Sequence, residues 1–158
     1  ALAIKHERPA WEITASDIST AALQVAKANA DRLHLDVKLV HSDLLTSVSA
    51  QPFDIIVSNP PYIAASEKDV MDASVLAHEP QTALFADHDG LALYEQLATT
   101  VADHLTSTGR LYLEFGYHQG PALQTLFAQS MPDATVTLRQ DMVGHDRMLR
   151  VAMTLTRQ

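Results

Sequence analysis

Two hydrophobic periods take turns along this chain. Residues 12–16 (EITAS) read as a short strand. Over residues 19–33, Ala22, Val25, Ala26, Asn29, Ala30 and Leu33 recur at i, i+3, i+4 spacing, which predicts a helix. Residues 36–41 (DVKLVH) are strand-like. Residues 53–58 (FDIIVS) form an apolar, β-branched run stopped by Asn-Pro-Pro, the pattern of a strand buried on both faces. Residues 90–105 are helical in period, with Gly109 beyond as a stop signal. Residues 110–115 (RLYLEF) predict a strand, and residues 118–130 a helix with Pro121 in its first turn, where proline is tolerated. Residues 134–139 and 149–156 predict strands on either side of a turn at 143–146.

Strand–helix–strand alternation predicts an α/β fold, a mostly parallel sheet with helices on both faces. The connection between the last two strands is too short for a helix, so they should pair antiparallel. Ligands of open α/β sheets bind at the carboxyl ends of the strands. Three predicted strand ends carry polar residues: Asp17, Ser42-Asp43, and Asn59-Pro60-Pro61-Tyr62.

Composition narrows the function. A chain of 158 residues with no repeat or linker-like tract predicts a single domain over 1–158. Nineteen acids against eleven Lys and Arg give a net charge of −8, which argues against a partner held by phosphate neutralisation. With no cysteine there is no disulfide, zinc–thiolate site or thiol nucleophile, which fits a reducing, cytoplasmic setting. No apolar run suggests a membrane span. The eight histidines show no metal-ligand spacing.

The Asn59–Tyr62 segment (NPPY) carries the most chemistry. With proline at about one position in twenty, a chance match is on the order of one in a thousand. One proline would suffice to end a strand. Two prolines fix φ near −65°, which presets the carbonyl directions around them. A carboxamide or exocyclic amine has two N–H donors; the Asn59 side-chain carbonyl and the Pro60 main-chain carbonyl offer two acceptors. Together they would orient the nitrogen and aim its lone pair at an incoming methyl. Tyr62 would lay its ring on the flat substrate group and exclude water.

NPPY after such a strand resembles the amino-methyltransferases that use S-adenosylmethionine, whose substrates include DNA adenine, RNA amines and protein glutamine. His78-Glu79-Pro80 with Ala83-Leu84-Phe85, then Gly90-Leu91 and Tyr94, then Leu113-Glu114-Phe115-Gly116 with Gln119-Gly120, resembles more narrowly the HemK/PrmC family. These are release factor glutamine methyltransferases, acting on the Gly-Gly-Gln loop of peptide-chain release factors. The resemblance runs from the first residues to Asp146-Arg147. It implies a Rossmann-like class I S-adenosylmethionine-dependent methyltransferase fold, a protein substrate, and no direct role for nucleic acid or membrane.

Site residues follow from it. Asn59, Pro60 and Tyr62 would act at the reacting nitrogen, with Pro61 and Glu79 completing the substrate side. Asp17 and Ile18 would face the cofactor ribose and Asp43 the adenine amino group, with Leu44 against the ring and Asn59 reaching the cofactor as well. Asp17 is also suited to opening the helix that follows, and Asp43 to a plain turn. Glu114 either faces solvent or shapes the substrate pocket. Residues 63–89 are long for a connection and read as a flap over the site.

The chain opens Ala-Leu-Ala-Ile without Met, and none of its five glycines lies near that end. The resemblance places a strand and a Gly-rich cofactor loop before residue 1, and a helical substrate-recognition domain before those. The expectation is a catalytic-domain fragment whose first strand is missing, with a gap between the strands ending at Asp17 and Asn59 or a distorted sheet, and weak or no cofactor binding. Micromolar affinity for S-adenosylmethionine would contradict it. Two other readings stay open: an NPPY enzyme acting on nucleic acid bases or another protein glutamine, and an inactive remnant used for binding.

Overall fold

The computed structural model of the chain describes residues 1–49, 51–70, 78 and 80–154. The chain parts into two compact units, Ala1–Ser49 and Ala50–Gln158.

The first unit holds α1 (Leu2–Glu7), β1 (Thr14–Asp17), α2 (Thr20–Leu33) and β2 (Lys38–His41). β1 and β2 pair in parallel, Thr14 opposite Lys38 and Asp17 opposite His41. α2 starts where Ser19 Oγ accepts from the Ala22 N–H, and it ends at His34, whose backbone is left-handed at φ 54°. Of the apolar stripe read from the sequence only Ala30 is buried, while Val25 and Leu33 are exposed. Two strands of four residues are too small a surface to cover a helix of fourteen.

The second unit carries β3 (Phe53–Ser58), β4 (Ile63–Ala64), β5 (Phe85–Ala86), the single turn α3 (Asp87–Gly90), α4 (Ala92–Thr100), β6 (Leu105–Glu114), α5 (Gly120–Ser130), β7 (Ala134–Gln140) and β8 (Asp146–Met153). Four strands form one sheet in the order β3-β6-β8-β7. β3 and β6 are parallel; β8 runs antiparallel to both its neighbours. The predicted antiparallel pair is therefore present, with β8 placed inside the sheet. β4 and β5 form a separate parallel pair.

The sequence alternates on β6 and β8, and burial follows. Leu111, Leu113, Leu149 and Val151 are fully buried together with Phe115, Tyr94, Leu97, Leu123 and Phe127. Arg110 and Glu114, of opposite parity on β6, are exposed. α5 packs on β7 and β8, and α4 packs on α5. Period-2 alternation is what a sheet covered on one face requires.

Three expectations need correction. β3 is not buried on both faces: Ile55 is 38% exposed and Val57 63%. It is the terminal strand of its sheet, and its register puts these two beside Arg110 and Tyr112, on the face opposite the core. The helix expected over 90–105 ends at Thr100, passes through a 3-10 turn (Val101–His104) and gives way to β6. Gly109 lies inside that strand, at an irregularity where pairing jumps from Phe53–Leu105 to Ile55–Arg110. A Cβ at Gly109 would stand 3.0 Å from the Phe53 carbonyl oxygen, so a close backbone approach and not a helix stop explains the glycine. The last strand starts at Asp146 rather than 149.

Two side chains fix this unit locally. The buried Tyr94 hydroxyl donates to the Glu114 carbonyl at 2.7 Å, and burial pushes the phenol well above its ordinary value. Between β7 and β8, Asp141 Oδ1 accepts from His145 N at 3.0 Å and Val143 N at 2.9 Å. The His145 N–H comes first among the groups that hold the Asp141 carboxyl below its usual 3.8.

Tyr94→Phe keeps the ring and strips the Glu114 carbonyl of its donor. A loss of about 1–3 kcal/mol is expected from urea unfolding. A depressed folded-state carboxyl stabilises above its unfolded pKa and loses that contribution as pH falls through the folded value. Asp141→Ala should therefore lower the unfolding midpoint at pH 7, with the gap to the native chain closing as pH drops below 3.8.

Candidate active site

The first unit gathers its candidate residues at the carboxyl end of the β1–β2 pair. Asp17 closes β1, and its backbone carbonyl accepts from the Ser42 N–H at 3.1 Å. His41 Nε2 lies 2.9 Å from the Ile18 carbonyl, and Ser16 Oγ donates to the Leu44 carbonyl at 3.3 Å. These bonds put Asp17-Ile18 and Asp43-Leu44 on one edge. Both carboxylates are exposed, Ile18 is 60% exposed, and Leu44 sits in left-handed backbone at φ 47°. Asp17 Oδ1 accepts from the Ser19 N–H at 2.7 Å, while Ser19 itself caps α2. The Asp17 carboxylate thus takes part in the turn into the helix without being its cap.

In the second unit β3 ends at Ser58, which pairs with Leu113 of β6. Asn59 follows directly at the end of β3, as Glu114 follows Leu113 at the end of β6. Asn59 is exposed, Pro60 buried, Pro61 and Tyr62 half-buried. Asn59, Pro60, Pro61 and Tyr62 line a cavity of about 180 Å³ together with Ile63, Ala83 and Leu84. Among the described residues no hydrogen bond engages the Asn59 side chain or the Pro60 carbonyl. The β4–β5 pair holds the far wall, with the Ile63 N–H donating to the Leu84 carbonyl at 3.1 Å. The segment 63–89, expected as a flap, is, where described, this strand pair with two 3-10 turns and the start of α3. Glu79 lies outside the described residues.

Sequence reasoning missed Ile63 and the wall role of Ala83 and Leu84. It also missed Gln119, whose Nε2 donates to the Tyr62 carbonyl at 3.0 Å. Ala83-Leu84 and Gln119-Gly120 were visible as motif letters, but only tertiary contact gives them a place. The opposite side of Tyr62 is bounded by glycines. A Cβ at Gly116 would stand 3.2 Å from Tyr62 Cδ2, and one at Gly90, where φ is +82°, would lie 2.1 Å from the Tyr62 carbonyl oxygen.

The methyltransferase small domain family matches residues 1–90. The chain belongs to that family. A release factor glutamine methyltransferase of Lactococcus lactis is 44% identical over 151 residues, covering 96% of this chain and 56% of that protein. One of Streptococcus pneumoniae is also 44% identical over 151 residues, covering 96% and 54%. The chain spans about half the length of the curated relatives it matches. These relatives bear out the resemblance drawn from the NPPY-to-Gln119 motifs. A solved methyltransferase structure from Pyrococcus furiosus superposes with a TM-score of 0.68 at 17% identity, over 96% of this chain and 67% of that one. The fold is that of the class I methyltransferases.

Gly90→Ala should destabilise this small domain by more than the roughly 1–3 kcal/mol of a left-handed non-glycine residue, because overlap with Tyr62 adds to the strain. Gly144→Ala is the control: φ is +90° there and nothing lies within 4 Å of the added carbon. Urea midpoints of the two variants separate backbone strain from the clash.

Proposed function

We propose that this chain carries the methyl-transfer site of a protein-glutamine methyltransferase acting on the Gly-Gly-Gln glutamine of peptide-chain release factors. One observation carries the reading: the Asn59 side chain and the Pro60 carbonyl stand beside a small cavity with no partner among the described residues. The names of the curated relatives support the substrate. Both units are read as one methyltransferase domain, because the family match at 1–90 runs across their division.

The residues present fit S-adenosylmethionine. Asp17 and Asp43 are exposed carboxylates on one strand-end edge, suited to accept from two ribose hydroxyls and an adenine amino group. Ile18 and Leu44 supply apolar contacts beside them. When bound, this cofactor supplies an electrophilic methyl on a sulfonium. Asn59 and Pro60 accept the two N–H bonds of the glutamine carboxamide and set its plane. Pro61, Ile63 and Leu84 give the cavity apolar walls, and the Tyr62 ring covers the amide and keeps water away. The Tyr62 ring covers only one face of the amide; Asn59 is exposed, so the proton shed by the methylated nitrogen leaves to water on the Asn59 side without a dedicated base. Work on release factors would place the protein in the cytoplasm. Among the described residues no helix is long and apolar enough to cross a membrane.

The test is methyl transfer by a full-length protein bearing this domain, to release factor and to release factor with Gly-Gly-Gln changed to Gly-Gly-Ala. Label on the first alone is expected. Asn59→Ala should reduce turnover by about 100-fold or more, as for other preorganised polar groups at a reacting centre, with cofactor affinity mostly kept. Normal turnover in that variant would remove the acceptor role.

A further inference from the structure

We propose that Gln119 is the positioning residue of the amide-binding corner, holding the NPPY carbonyls in direction through the Tyr62 carbonyl. Gln119 occupies the N-cap position of α5, yet its side chain makes no capping bond to that helix. Ser, Thr, Asn or Asp would serve the helix better there. The carboxamide is spent elsewhere. Its Oε1 accepts from the Gly116 N–H at 3.0 Å, and its Nε2 donates to the Tyr62 carbonyl at 3.0 Å and to the Asp89 carbonyl at 3.2 Å. One side chain thus ties together the end of NPPY, the segment after β6 and the corner before α4.

The surroundings are shaped around this group. A Cβ at Gly90 would come within 2.6 Å of Gln119 Nε2, and one at Gly116 within 3.2 Å of Oε1. His88 and Asp89 are both left-handed, at φ 54° and 53°, in the segment whose carbonyl Gln119 holds. Two adjacent non-glycine residues in that region are strained and persist only where neighbours fix them. The link to chemistry runs through the prolines. Between Asn59 and Tyr62 both residues have locked φ, so an anchor on the Tyr62 carbonyl limits how far the Pro60 carbonyl can swing. Glutamate in this place keeps the acceptor for Gly116 but turns negative oxygen on two carbonyls. Methionine matches the length and offers neither group.

The catalytic part of this inference rests on the amide-methylation reading; the clamp itself does not. The experiment compares Gln119→Glu and Gln119→Met with the native full-length protein. Amide exchange at Gly116 should quicken by about tenfold or more in Gln119→Met and stay slow in Gln119→Glu. The carbonyl carbon shift of Tyr62 should move in both. Both should lose about ten- to a hundredfold in kcat, with release-factor KM and cofactor Kd within about threefold. Native kcat in Gln119→Glu, or unchanged Gly116 exchange in Gln119→Met, would overturn the proposal. A loss of kcat no larger than the loss of folded protein would also do so. If the native protein fails to methylate release factor, the functional reading falls, and the exchange and shift data still decide the clamp.

Discussion

Parallel pairing of β3 with β6 is the constraint on which the candidate site rests. In parallel strands both chains exit at the same edge, so the register from Ile55–Arg110 to Ser58–Leu113 brings the chain out at Asn59 from the same edge at which β6 ends. The bulge at Gly109 sets that register, because it absorbs the residues between Leu105 and Arg110. Tyr94 then fixes the β6 end from below through the Glu114 carbonyl. Slipping the pairing by one residue would turn Leu111 and Leu113 out of the core. The buried alternation therefore holds the candidate edge in place without touching it.

In the proposed reading the two groups of candidate residues offer different kinds of acceptor. Asp17 and Asp43 are exposed carboxylates, which in that reading suits ribose hydroxyls and an adenine amino group. Asn59 and Pro60 offer neutral carbonyls, which orient an N–H pair without taking the proton. A carboxylate at Asn59 would put full negative charge beside the amide. Proline, lacking an N–H of its own, leaves the Pro60 segment with acceptors only.

Much of this was legible in the chain. β3 was read with its bounds intact, since a β-branched run ended by two prolines admits few alternatives. α2 came through to within one residue because Ser19 is a capping residue ahead of a clear stripe. The β7–β8 pairing followed from a connection too short for a helix. What failed were properties that depend on neighbours. Burial of Ile55 and Val57 depends on whether a strand flanks β3, which their own apolarity does not reveal. Gly109 read as a stop because glycine often ends helices, whereas a Cβ there would crowd the Phe53 carbonyl, far away in sequence, together with the Thr106 backbone. The cavity walls Ile63, Ala83 and Leu84 and the bonds of Gln119 are likewise long-range, and local pattern carries no trace of their geometry.

The bond from the Ser19 N–H to Asp17 Oδ1 has a consequence for affinity. It gives the exposed carboxylate a hydrogen-bond partner within its own turn. In the proposed reading, a cofactor diol meeting Asp17 would forgo part of the entropy charge of freezing it, about 0.5 kcal/mol or somewhat more for an immobilised side chain. In the cofactor-binding reading proposed above, the turn that launches α2 would thereby tighten binding at the strand edge, and a helix-start mutation would be felt there as weaker ligand retention.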